Sequence, residues 1–217
     1  MESTSLSPQT NPTPWRRELL VLYLVALLAG TAVGLYNPVI SLRMKEVGFS
    51  ETLIGAASSL FFLGVIVVAP IASYIARRHS LRAVLAFGLA IAGIGSTLFP
   101  MAETLEHWML FRLVLAAGAG FYLIGGQSAV NTPAPEESRS LVSGLYALSF
   151  GVGMGIGPMV GGALFSVGAN WAFYACALVL WLGIPVALLG MPSEASKQLV
   201  PLGRSQKFPG LPYEVRL

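Results

Sequence analysis

Charged residues fall into short clusters along this chain, and long apolar runs lie between them. Uncharged stretches cover Leu19–Leu42, Thr52–Ala76, Ala83–Ala102 and Leu113–Pro135. A further stretch, from Ser140 to Ser193, carries no charged side chain and is interrupted by the turn-like Gly168-Ala169-Asn170. A helix needs about 20 apolar residues to cross a hydrocarbon layer roughly 30 Å thick, so this last run holds two crossings, Ser140–Val167 and Trp171–Leu189. None of the runs alternates polar with apolar positions, as a membrane β-barrel strand must. The pattern predicts an all-α integral membrane protein of six transmembrane helices. The longer connections are Lys45–Glu51 and Asn131–Arg139, the second containing the helix breakers Pro133 and Pro135.

Composition agrees. Hydrophobic residues make up 55% of the chain and charged ones 11%, with a mean hydropathy of +0.72. The charged share is about half that of ordinary soluble proteins. A net charge of +3, with the cations scattered between apolar spans, gives no basic patch for nucleic acid. Aspartate is absent, and none of the ten Glu lies inside a span, so no carboxylate is available at membrane depth as a proton relay. His79 and His107 stand at span ends, and the single cysteine, Cys176, allows no internal disulfide.

Intramembrane proteolysis is a poor fit. Leu141-Val142-Ser143-Gly144 lacks the first glycine of a Gly-x-Ser-Gly site, no span holds a histidine, and an aspartyl mechanism has no aspartate. Nucleotide and metal motifs are missing as well. We therefore expect no catalytic residues, no cofactor and no metal.

Lys and Arg set the orientation. With the N-terminus inside, ten of them face the cytoplasm, from Arg16 and Arg17 through Arg77, Arg78, Arg82 and Arg139 to the tail, against Arg43 and Lys45 outside. The positive-inside rule then places both termini in the cytoplasm, in a cell (inner or plasma) membrane. Residues 1–17 read as a disordered cytoplasmic lead, 18–190 as the helical bundle and 191–217 as a cytoplasmic tail.

Two features within the spans point to function. Gly153, Gly157 and Gly161 recur every four residues in the fifth span, beside Pro158 and Gly162, and form a stripe that a neighbouring helix can approach closely. Such a face suits either a static seam or a helix that rocks against a partner; the second is the expectation here. The other feature is Arg112, the one charge within a span. Near a helix centre it is penalised by at least ~2.5–3.5 kcal/mol, less if it snorkels to the outer surface. We expect it to face an aqueous cavity on a polar side of the fourth span, with Gln127 about 60° and Asn131 about 100° away around the helix. Tyr36 and Asn37 of the first span, and Tyr122 of the fourth, are further candidates for the cavity wall.

A faint internal repeat is also visible. Gly30 and Gly34 precede Leu35-Tyr36-Asn37 in the first span, and Gly118 and Gly120 precede Phe121-Tyr122 in the fourth. Ala69-Pro70 in the second span matches Gly157-Pro158 in the fifth. Three helices resembling the next three in opposite orientation is the inverted-repeat plan of secondary carriers.

These motifs together resemble those of the major facilitator superfamily, in its drug and metabolite efflux branch. Gly153 to Leu164 is similar to the glycine–proline motif of the fifth helix in that family's antiporters. Gly48-Phe49-Ser50-Glu51 with Ile54-Gly55 resembles its link between helices one and two. Ser73 to Arg82, with Arg77, Arg78 and Arg82, sits where the family carries a Gly…Asp-Arg-x-Gly-Arg-Arg loop, and Arg112 with Gly118 and Gly120 where it carries Arg-x-x-Gln-Gly-x-Gly. Arg77 takes the aspartate position, Ser73 and Ser80 replace glycines, Leu115 replaces the glutamine and Ala116 the first glycine.

The resemblance spans about Glu18 to Gly190. It implies the N-terminal six-helix bundle of a carrier, a 3+3 inverted repeat, that moves a small solute across the bilayer by alternating access, and residues 191–217 then resemble the start of the family's central loop. Because the family pairs two such bundles, the expected partners are the bilayer, the solute and a second bundle from another copy or a separate chain. The alternative is a truncated, transport-inactive fragment or a membrane-embedded assembly subunit.

Overall fold

The computed structural model describes residues 15–131 and 138–190, and all six spans are helical. They are α1 (Trp15–Glu46), α2 (Glu51–Ala76), α3 (Leu81–Leu98), α4 (Leu105–Asn131), α5 (Arg139–Val167) and α6 (Ala169–Gly190), with a 3₁₀ turn Phe99–Met101 after α3. Each is long and apolar enough to cross a membrane. The segments assigned above to a lead and a tail lie largely outside the described residues, although α1 already begins at Trp15.

Local chemistry sets the helix starts. The Ser50 hydroxyl accepts from the Leu53 amide (3.4 Å) and the Ser80 hydroxyl from the Ala83 amide (3.1 Å), each filling one of the unpaired donors of a first turn. Gly48, at φ +93°, makes the left-handed turn that ends α1. At the opposite end of the bundle Arg82 donates to the Leu188 carbonyl (3.2 Å), capping the last turn of α6 with a cation.

The packing has the symmetry of an inverted repeat. α1 packs mainly on α5 and α6, α4 mainly on α2 and α3, and α3 packs on α6. Exchanging α1–α3 with α4–α6 maps this set of contacts onto itself. Pairing Tyr36 with Tyr122, as in the sequence repeat, aligns Gly34 with Gly120 and Gly30 with Ala116. Gly118 belongs to a different contact, since a Cβ there would lie against Gly88 and Ala92 of α3.

The glycine stripe of α5 is already filled. A Cβ on Gly157 would stand 2.5 Å from the Thr31 oxygen and the Leu35 nitrogen of α1, and one on Gly34 2.5 Å from the Met154 oxygen of α5. Gly30 and Gly153 are equally tight against Phe150 and Leu27, and Gly161 meets Val39. The expectation that this stripe awaits a partner bundle is therefore corrected, because α1 of the same chain occupies it. Pro158 frees the Met154 carbonyl from its helical bond, and that carbonyl is the one lying against Gly34. Gly162, by contrast, has nothing within 4 Å of the position a Cβ would take and faces outward with Gly151 and Gly155.

Candidate functional site

Arg112 lies seven residues into α4, about 10 Å from its start. The helix begins at Leu105, before the uncharged run, because Glu106, His107 and Arg112 are accommodated in it without breaking backbone hydrogen bonding. The arginine is 1% exposed, so it neither snorkels nor lines an open cavity. Its Nε–H donates to the Ala57 carbonyl (3.2 Å) and its Nη2 to the Ser58 hydroxyl (3.3 Å), both on α2. Its guanidinium carbon sits 5.3 Å from the Phe61 ring centroid, also on α2. Nη1 has no partner.

Around this bond cluster the other buried polar groups. Phe61 makes an edge contact with Tyr36 of α1 at 5.4 Å between centroids. Tyr36 is close enough to Arg112 and to Tyr122 for their charges and dipoles to interact, and Cys176 of α6 adjoins both tyrosines. Neither tyrosine hydroxyl meets hydrogen-bond geometry with any group, and the Trp108 indole N–H, one turn before Arg112, is likewise unpaired. Buried polar atoms are rarely left in this condition, so the Arg112 Nη1 and the Tyr36 hydroxyl beside it mark a special place in the core.

The structure thus places Tyr36 beside both Arg112 and Tyr122, which stand ten residues apart on α4, and leaves the other candidates apart. Asn37 donates to the Val33 carbonyl of its own helix (3.0 Å). Gln127 is exposed, fifteen residues further along α4. Asn131 ends α4, and its side chain lies outside the described residues. Of the loop arginines, Arg77 is the C-cap of α2, Arg78 lies 4.4 Å over the Tyr74 ring and Arg82 holds Leu188. Sequence reasoning missed Ala57, Ser58 and Phe61. The Ser58-Ser59 pair was the available signal, two hydroxyls in a largely apolar stretch, with Ser58 one turn from Phe61.

Among the described residues no three of His, Cys and Glu gather into a possible metal set. The carboxylates lie at the helix ends, where Glu46 pairs with Arg43 (2.6 Å) and Glu51 with Lys45 (2.8 Å).

Comparison with known proteins places this geometry. The sequence matches the Major Facilitator Superfamily over residues 22–212. The chain belongs to that family. It is 22% identical over 158 residues to the quinolone resistance protein NorA of Staphylococcus aureus (strain MRSA252), covering 73% of this chain and 41% of that protein. It is 27% identical over 166 residues to the class H tetracycline resistance protein of Pasteurella multocida, covering 75% and 41%. The fold superposes with a TM-score of 0.73 on the crystal structure of a bacterial homologue of the human lysosomal transporter Spinster, inward-facing and unoccupied, at 20% identity and covering 90% of this chain and 47% of that one. The chain spans less than half the length of these relatives. It is a multi-pass membrane protein with the fold of one six-helix bundle of a carrier.

Proposed function

We propose that this bundle is the N-terminal half of an efflux-type carrier of the cell membrane, which moves a small solute by alternating access against a second six-helix bundle. The observation that carries the reading is the uneven covering of the helices. Only 11% of the apolar window of α2 and 17% of that of α5 is buried, against 39% or more in the other four. Phe62, Ile66 and Ile71 on α2 and Val152, Ile156 and Met159 on α5 are exposed. These are the helices that pack on α4 and α1, which bear Arg112, Tyr122 and Tyr36. A second bundle, from another copy or a separate chain, fits against them. The names of the resistance relatives support a small organic solute moving outward.

In this reading both termini are cytoplasmic. Arg16, Arg17, Arg77, Arg78, Arg82 and Arg139 cluster at one end, and the opposite end carries Arg43 and Lys45, both ion-paired. Residues 18–190 form the bundle, with the lead and tail on the cytoplasmic side. The loop after α2 has Arg77 in place of the family's aspartate, so a latch between the halves built on that carboxylate is lacking here. Vesicles containing this chain, assayed for solute flux with wild type and Arg112→Ala, test the proposal. A drop of at least tenfold in the variant is expected, and equal flux in both, or none in either, overturns it.

A further inference from the structure

We infer that the solute is an organic anion, held by its carboxylate between Arg112 and Tyr36. The inference rests on the carrier reading above and adds the chemical class of what is carried.

Arginine presents five N–H donors in a planar fork. In this site the Ala57 carbonyl and the Ser58 hydroxyl engage Nε and Nη2, while Nη1 is buried and unpaired. Neither of the two acceptors is charged. The chain has no aspartate, and the described glutamates Glu18, Glu46, Glu51, Glu103 and Glu106 lie at or next to helix ends, so none of them meets the guanidinium. Among the described residues nothing neutralises the cation, in a setting where an uncompensated charge is expensive.

Next to it stands the buried Tyr36 hydroxyl, which meets no strict hydrogen-bond geometry and whose nearest polar neighbour is the Tyr122 hydroxyl. An anion answers the first two of these groups, because the unpaired Nη1–H and the Tyr36 O–H can both donate to it. A carboxylate matches the guanidinium fork best, through charge-assisted bonds. A neutral solute leaves the charge as it was, and a cationic one adds repulsion. Phe61, Leu115 and Ala119 are buried and apolar in the same core cluster, so the surroundings of the guanidinium offer no competing polar group.

The test uses the purified 217-residue chain in lipid nanodiscs, with equilibrium dialysis of three probes on one carbon skeleton: 1-naphthoate, 1-naphthamide and 1-naphthylmethylammonium. Empty nanodiscs correct for partition into lipid. Saturable binding of the naphthoate is expected, with the amide and the ammonium at least tenfold weaker. Arg112→Gln should weaken naphthoate binding at least tenfold, Arg112→Lys less, and Tyr36→Phe about threefold, with each variant's melting curve confirming that it is folded. Equal binding of naphthoate and naphthamide, or naphthoate binding untouched by Arg112→Gln in folded protein, overturns the anion assignment and leaves the carrier reading standing. Absence of naphthoate binding alongside Arg112-dependent flux of other solutes also overturns it, and points to a carboxylate of the second bundle as the counter-charge. Absence of both binding and flux overturns the carrier reading itself.

Discussion

The contact of α1 with α5 and that of α4 with α2 occupy matching places in the repeat, yet they are built differently. Between α1 and α5, glycines on both helices bring backbone against backbone, with Gly30 and Gly34 facing Gly153 and Gly157. Between α4 and α2 each close approach has a glycine on one side only. Gly64 meets the Ala116 methyl, 2.8 Å from its notional Cβ, and Gly120 meets the Val68 side chain at 2.9 Å. That second contact is completed by the two hydrogen bonds of Arg112 to α2. Dispersion and weak Cα–H···O contacts over a close seam hold the first pair. A polar bolt holds the second. The difference teaches that equal positions in a repeat need not be equally movable: the seam resists any shift of its backbone, whereas the bolt releases when its acceptors are exchanged for others.

The largest test of that contrast is to crowd the seam. Gly157→Leu and Gly34→Leu drive side chains into backbone atoms and should cost more than the about 1–3 kcal/mol typical of overpacking, because backbone cannot swing aside. We expect most of the folded protein to be lost on size-exclusion of detergent extracts. Gly64→Ala, at the matching place on α2, should lower the melting temperature only modestly. Equal damage at both places would erase the distinction between seam and bolt.

Withdrawing the bolt comes next. Arg112→Met gives up two hydrogen bonds to a charged group, each worth about 1.5–3 kcal/mol, and also removes a buried cation whose penalty is of similar size. Stability should therefore change by only about 1 kcal/mol while solute flux falls at least tenfold; differential scanning fluorimetry beside the vesicle assay reads both. A collapse of stability would mean that Arg112 is chiefly a structural group.

A smaller effect should appear in hydrogen exchange by mass spectrometry in nanodiscs. Amides of α2 are expected to exchange faster than those of α5, and Arg112→Met should widen the gap by quickening α2 alone. If α5 is the faster helix, the comparison is reversed. The smallest effect is expected at Gly151 and Gly155, where a Cβ has open space. Alanine at either should leave melting unchanged or raise it, by up to about 1 kcal/mol of helix propensity.

The bundle was readable from hydrophobic runs because membrane insertion imposes length and apolarity on every helix independently of its neighbours. Helix ends were less readable. α1 extends past both edges of Leu19–Leu42, and α4 begins at Leu105 rather than Leu113, since charge does not stop a helix whose backbone is bonded. The glycine periodicity revealed a small-residue face but not its occupant, because spacing says how close a neighbour can come and not which neighbour comes. For the site, the unusual residue types Arg112, Tyr36 and Tyr122 were visible. Their partners on α2 were not, since a backbone carbonyl such as that of Ala57 leaves no trace in residue identity. Gln127 was misleading for a related reason: helical angle places it near Arg112 in projection, while about 22 Å of helix separates them.

The register that pairs Tyr36 with Tyr122 also pairs Arg112 with Ala26, which is buried beside Val142 and Tyr146 of α5. On that side the ring of Tyr146 reaches toward Gly126 of α4, filling from α5 the kind of space that Arg112 crosses from α4. Matching places in the repeat thus hold a buried aromatic contact toward one end of the bundle and a charged link toward the other. A duplicated unit with identical halves would open to either side of the membrane at the same cost. Among the described residues the buried charge is confined to one copy, so the two ends of this bundle are held by different chemistry and would not yield to the same substitution.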